Sequence, residues 1–230
     1  QADGGTNIND ALAGACGLLN GSKSGPVMVF LTDGEPTVGV TNGETIGNNL
    51  KALNATHVRT FVFGVGENLN TQLLDKVALE NRGEVLYVHQ NDDLNGKLTA
   101  FFETISKPLL MDLAIDWGGM AVSERYPKQL PNVYKGSQMV VTGRYSGSGA
   151  RKITVRGSLN GKQVEFPLEV NFAKQTTENR FVARVWAKSK ADSLIQEMRA
   201  YGDDPAKKAE VIKLSKQYQF VTPYTSFLAV

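Results

Sequence analysis

The 230 residues (25.0 kDa) carry 41% hydrophobic and 21% charged side chains, which supports a packed core and excludes wholesale disorder. No apolar run approaches the roughly 20 residues of a membrane-spanning helix, and the single cysteine excludes both an intrachain disulfide and a cysteine-based zinc site. The net charge of +2 conceals a division: residues 1–106 carry 6 Lys/Arg against 12 Asp/Glu, and residues 107–230 carry 19 against 11. That division predicts two units of opposite charge. The sequence opens on Gln1 rather than Met, and is expected to be a piece or processed form of a longer protein.

The first 106 residues alternate helix and strand patterns. Ile8, Leu12, Cys16 and Leu19 form a helical stripe, which makes Cys16 a core residue. Val27 to Leu31 is a short continuous apolar run bounded by turn residues, the pattern of a parallel strand buried on both faces. Ile46, Leu50 and Leu53 mark a second helix, and Thr60 to Val65 a second buried strand. Leu73, Leu74, Val77 and Ala78 mark a third helix, Val85 to Val88 a third strand, and Leu94, Leu98, Phe101, Phe102 and Ile105 a fourth helix, capped by Asp92-Asp93. Such alternation predicts an α/β unit with a parallel, Rossmann-like sheet.

Near Pro108 the period changes. Leu109, Met111, Leu113, Ile115 and Trp117 alternate with polar residues, a half-buried strand. Further strands are expected at 138–145, 152–159, 163–172 and 180–186, with Asn160-Gly161 as a two-residue hairpin turn. Residues 107–186 thus predict an antiparallel, β-sandwich-like domain. Residues 187–230 predict C-terminal helices, the second starting at Asp204-Pro205, and then a C-terminal strand.

Two elements carry candidate chemistry. Asp33, in Leu31-Thr32-Asp33-Gly34, directly follows a strand, where α/β sheets place their ligands. Thr6, in Asp3-Gly4-Gly5-Thr6-Asn7, sets a hydroxyl at a loop–helix junction. Each alone also reads as an ordinary turn or cap. Together they offer a carboxylate and a hydroxyl, hard oxygen donors suited to Mg²⁺.

Gly4-Gly5-Thr6-Asn7-Ile8 followed by Leu31-Thr32-Asp33-Gly34 resembles the von Willebrand factor A domain. That family carries a metal-ion-dependent adhesion site at the C-terminal edge of its sheet. The resemblance maps its threonine onto Thr6 and its Thr-Asp-Gly aspartate onto Asp33. The family's Asp-x-Ser-x-Ser element has no counterpart before Thr6, so the metal site is expected to be incomplete in this chain. Phe220-Val221-Thr222-Pro223-Tyr224-Thr225-Ser226 resembles the C-terminal signature of proteins similar to inter-α-trypsin inhibitor heavy chains, which carry a VIT domain and then an A domain. The resemblance makes residues 1–106 the C-terminal half of an A domain, with the N-terminal half supplied in cis or in trans. It implies Mg²⁺, with Ca²⁺ or Mn²⁺ as alternatives, holding a carboxylate from a partner protein, and an extracellular or cell-envelope location. The alternative is a structural or processed piece of such a protein without metal function of its own.

Other features point to no activity. His57 and His89 belong to no motif, and Gly64-Val65-Gly66 lacks the third glycine of a dinucleotide loop. No G-x-S-x-G and no Walker lysine occur, so no enzyme is expected. The basic residues after 187 are interleaved with Asp192, Glu197, Asp203, Asp204 and Glu210, the pattern of a solvated face rather than a nucleic-acid surface.

Overall fold

The computed structural model describes residues 4–22, 25–55, 57–67, 69–89, 91–106, 108–159, 161–176 and 178–226. The chain divides into two compact units: residues 1–101 with 196–202, and residues 102–195 with 203–230.

In the first unit, three parallel strands lie in the order β1-β2-β3: β1 (Val27–Thr32), β2 (Arg59–Val65) and β3 (Val85–Val88). Helices α1 (Ile8–Leu19), α2 (Gly43–Leu53), α3 (Thr71–Glu80) and α4 (Leu94–Ile105) alternate with them, as the periodicities predict. Three helices start on asparagine. Asn7 accepts the N–H of Asp10 at 3.1 Å, Asn42 that of Thr45 at 2.9 Å, and Asn70 that of Leu73 at 3.1 Å. Each bond satisfies an amide that the helix start leaves without an intrahelical carbonyl. At the opposite edge of the sheet, buried asparagines close α2 and α3. Asn54 donates to the carbonyl of Val58 at 2.8 Å and to Asn81 at 2.6 Å, and accepts from the N–H of Val58 at 2.6 Å. Asn81 donates back to the carbonyl of Val77 at 2.7 Å. Close by, Gly83 packs against the strand backbone so tightly that a Cβ would overlap the Thr60 carbonyl.

The two faces of this sheet differ. On one, Met28 and Val62 join Ile8, Leu12, Cys16, Ile46, Leu50, Leu73, Leu74 and Val77 in a single core. On the other, Phe61 and Phe63 meet the ring of Phe101 edge-on, at centroid distances of 4.8 and 5.1 Å. β2 is buried along nearly its whole length, as expected. β1 departs from the expectation of burial on both faces. Val29 pairs with Phe61 and Leu31 with Phe63, so all four share a face. Yet Val29 is 40% and Leu31 49% exposed. The cause is position: β1 is an edge strand among the described residues, paired only with β2, while Phe101 stands over the β2 rings.

The second unit is antiparallel. β4 (Pro108–Asp116), β6 (Val133–Tyr134), β8 (Gly149–Leu159) and β9 (Lys162–Phe172) form one sheet in the order β6-β4-β8-β9, and β5 (Ala121–Tyr126) pairs with β7 (Thr142–Ser146). Leu159 pairs with Lys162, as a two-residue hairpin requires, although Asn160 itself lies outside the described residues. β5 and β6 are short strands that the sequence pattern does not announce, and residues 138–141 stay outside β7.

The strand expected at 180–186 is a correction. Those residues open the helix α5 (Phe181–Tyr201). Val182, Val185 and Trp186 raise strand propensity locally, but tertiary contacts override it. Trp186 is buried, and its indole N–H donates to the Glu124 carbonyl at 3.0 Å. The Arg144 guanidinium lies 4.2 Å from the Trp186 ring centroid. Glu124 pairs with Arg144 at 2.9 Å and with Lys190 at 2.6 Å, and Lys190 also reaches Glu210 at 3.3 Å. Burial pulls the Lys190 ammonium down, but its bonds to Glu124 and Glu210 outweigh that and hold its pKa above the ordinary value.

Helix α6 (Pro205–Tyr218) starts on Asp204 with Pro205 in the first turn, as predicted. Beyond it the Thr-Pro-Tyr-Thr segment folds back on the helix. Ser215 donates to the Phe220 carbonyl at 2.5 Å and lies 2.6 Å from the hydroxyl of Thr225, which also lies 2.8 Å from that of Thr222. Instead of the expected C-terminal strand, residues 222 and 225 make one isolated antiparallel bridge; Phe227 to Val230 lie outside the described residues.

Replacing Asn54 by Ala strips partners from several buried polar groups, each worth about 1–3 kcal/mol, and is expected to destabilise the first unit by about 2–4 kcal/mol. Asn70→Ala, at a half-buried cap with a single side-chain bond, should cost only about 1 kcal/mol. Urea unfolding followed by far-UV circular dichroism checks the difference; equal costs contradict it. Trp186→Ala is expected to destabilise the second unit by about 3–5 kcal/mol. Trp117 remains as its fluorescence reporter, and a loss below about 1 kcal/mol would show the Glu124–Trp186 contacts to be incidental.

Candidate functional site

The strands β1, β2 and β3 run parallel, so their C-terminal ends share one edge of the sheet. Asp33 directly follows β1, Glu67 lies just past β2, and Asp92 just past β3. These acids are not equivalent. Asp92 accepts from Lys97 at 2.8 Å and from the N–H of His89 at 2.9 Å, which hold its carboxyl below the usual range. Glu67 faces the His89 imidazole at 3.8 Å. Asp33 is exposed, and no hydrogen bond or ion pair engages its carboxylate among the described residues.

The loop after β1 is shaped locally. Gly34 adopts a left-handed φ of 89° and donates its N–H to Thr32 Oγ1 at 3.0 Å. A Cβ on Gly34 would press on the backbone of Leu69 and Asn70, so glycine lets this turn approach the loop after β2. The same loop is tied to the loop before α1. Thr6 donates its N–H to Thr37 Oγ1 at 2.7 Å, and the Thr6 carbonyl accepts from Thr37 at 2.9 Å and Val38 at 3.3 Å. At Gly39, with φ 73°, the backbone passes so close to Asn7 that only a glycine leaves room. The two candidate residues are therefore carried on loops fastened to one another. Thr37 makes the fastening, and nothing in Pro36-Thr37-Val38 marks it in the sequence.

The Thr6 hydroxyl carries no hydrogen bond among the described residues. A free carboxylate and a free hydroxyl are donors of the kind a hard divalent cation takes. They are few: no group of three or more His, Cys, Asp or Glu side chains among the described residues could hold a metal ion. Asp3 lies outside the described residues. Beside this loop, Asn70 also lines a cleft of about 350 Å³ flanked by the first turns of α2 and α3. His57 and His89 are exposed. No helix among the described residues is long and apolar enough to cross a membrane.

Known proteins share much of this sequence and fold. The family model of the von Willebrand factor type A domain matches residues 1–104. Human inter-alpha-trypsin inhibitor heavy chain H4 is 32% identical over 99% of this chain and 27% of its own length. The human heavy chain H6 is 29% identical over 100% of this chain and 20% of its own, and the bovine H3 29% identical over 99% and 28%. The chain thus spans only a minor part of the relatives that it matches. Among solved structures, a von Willebrand factor type A protein from Catenulispora acidiphila superposes with a TM-score of 0.61 at 15% identity, covering 95% of this chain and 62% of that one. The ArnB paralog VWA2 from Sulfolobus acidocaldarius does so with a TM-score of 0.54 at 16% identity, covering 96% and 63%. Residues 1–104 thus match the von Willebrand factor type A domain, and over nearly its whole length the chain is similar to the inter-alpha-trypsin inhibitor heavy chains.

Proposed function

We propose that this chain is part of a protein-interaction module in which Thr6 and Asp33 help to hold Mg²⁺, or Ca²⁺ or Mn²⁺ in its place, at the C-terminal edge of the parallel sheet. The observation that carries this reading is the fastening of the Thr6 loop to the Asp33 loop through Thr37 and Val38, which leaves one unpartnered oxygen donor on each. When bound, the ion supplies positive charge and an open coordination position for a carboxylate of a partner protein. The chain's own part is to keep Asp33 exposed, and to fasten the Thr6 loop to the loop that follows it by main-chain groups of Thr6 rather than by its side chain.

The remaining ligands come, in this reading, from sequence outside the 230 residues. The support is twofold: the curated relatives are several times longer than the chain, and among the described residues the outer edge of β1 is unpaired while Val29 and Leu31 stay 40% and 49% exposed. A segment that pairs with β1, in cis or in trans, would bury both. The reading makes the protein an extracellular or cell-envelope binding module rather than an enzyme.

Calorimetric titration of Mg²⁺ into the 230-residue chain is expected to show binding weaker than micromolar, which Asp33→Ala removes. Because Asp33 is exposed, its replacement should change stability by no more than about 0.5 kcal/mol. Micromolar binding by the 230 residues alone, or binding unchanged in Asp33→Ala, contradicts the proposal.

A further inference from the structure

Two Asn-x-Ser/Thr sequences occur in the first unit, Asn20-Gly21-Ser22 and Asn54-Ala55-Thr56. Such triplets are acceptors for N-linked glycans in proteins that pass through a eukaryotic secretory pathway, and they need an accessible asparagine. The fold buries one of the two asparagines and exposes the other.

Asn54 is buried, with its amide committed on both sides: Nδ2 to the Val58 carbonyl and to Asn81, Oδ1 to the N–H of Val58. A sugar on Nδ2 would displace these bonds and the packing around them. Asn20 ends α1, and both it and Ser22 are exposed. Ser22 donates its N–H to the Leu19 carbonyl at 3.2 Å; Asn20 has φ −62° and ψ 128°, and Gly21 has φ 90°. These values describe a type II β-turn with glycine at the position that needs positive φ. The surroundings are open. Leu18 is 88% exposed, and a Cβ added at Gly14, Gly17 or Gly21 would meet nothing within 4 Å.

We infer that Asn20 is an N-glycosylation site and that Asn54 is not. The inference rests on the extracellular reading for its occurrence in the native protein, and on the fold alone for the choice of residue. Transfer forms the bond between Asn20 Nδ2 and C1 of the first sugar. It breaks the C1–O bond to the pyrophosphate of a polyprenyl-linked oligosaccharide donor. The amide proton passes to solvent, the lipid pyrophosphate leaves, and nothing is oxidised or reduced. The backbone hydrogen bonds that end α1 are untouched, because the Asn20 N–H to the Cys16 carbonyl is main-chain.

The test directs the 230-residue chain into the secretory pathway of cultured mammalian cells behind a cleavable signal peptide, so that the native location does not enter the result. Cell-associated and secreted chains are both treated with peptide-N-glycosidase and analysed by mass spectrometry. The expected result is one glycan, with Asn20 converted to Asp by the enzyme. It should be lost in both Asn20→Gln and Ser22→Ala and retained in Asn54→Gln. A chain without removable glycan, a glycan that persists in Asn20→Gln, or a folded secreted chain glycosylated at Asn54 overturns the inference.

Discussion

The strands of a parallel sheet are normally covered on both faces, and the first unit is organised around how far each strand meets that condition. β2 meets it in full: β1 and β3 flank it, one face lies on α1–α3, and Phe61 and Phe63 lie under Phe101. Burying a ring such as Phe63 contributes about 2–3 kcal/mol, so β2 is the anchor to which the helices and the other strands are referred. Among the described residues β1 meets the condition on one face only, Val29 and Leu31 staying 40% and 49% exposed, and it is paired on one edge. An unpaired apolar edge is a template for further strand pairing. That is the physical basis for assigning it a covering segment.

The same parallel arrangement produces the candidate site. Because all three strands end on one edge, the loops that follow them lie there, and they carry Asp33, Glu67 and Asp92. What separates Asp33 from Glu67 and Asp92 is company. Lys97 and His89 engage the latter two, whereas Asp33 is exposed and no hydrogen bond or ion pair engages its carboxylate among the described residues. Thr6 is positioned by main-chain bonds, which leave its hydroxyl available. At the other edge the buried asparagines Asn54 and Asn81 bond to each other and to main chain, and Gly83 packs directly against the strand backbone. One edge is built for closure, the other for access.

Much of this was legible in the sequence. Apolar periodicity located α1–α4 and β1–β3 because each helix stripe and each buried strand has a pattern tied to its own geometry. Asp204-Pro205 announced the start of α6 through capping chemistry. The strand at 180–186 was misread because Val182, Val185 and Trp186 favour extended backbone locally, while what makes them helical is Trp186 seated between Glu124 and Arg144, contacts more than 40 residues distant in the chain. β5, Ala121-Val122-Ser123-Glu124-Arg125-Tyr126, carries no apolar alternation, and β6 has only two residues. The site was legible as residue types, Thr6 and Asp33, but not as an arrangement: the Thr37 hydroxyl that joins their loops looks like any loop threonine. The exposure of β1 was hidden for a related reason, since an apolar run states what a strand could bury and not what is present to bury it.

The central claim is that a divalent cation is held where the Thr6 and Asp33 loops meet. Paramagnetic broadening of assigned backbone amides by Mn²⁺ tests it most directly, because the effect falls off steeply with distance from the ion. Substoichiometric Mn²⁺ should broaden the amides of Gly5 to Asn7 and Gly34 to Val38 first, and an excess of Mg²⁺ should restore them. Broadening centred on Glu67 or Asp92, or spread evenly over the acidic surface, would contradict the account.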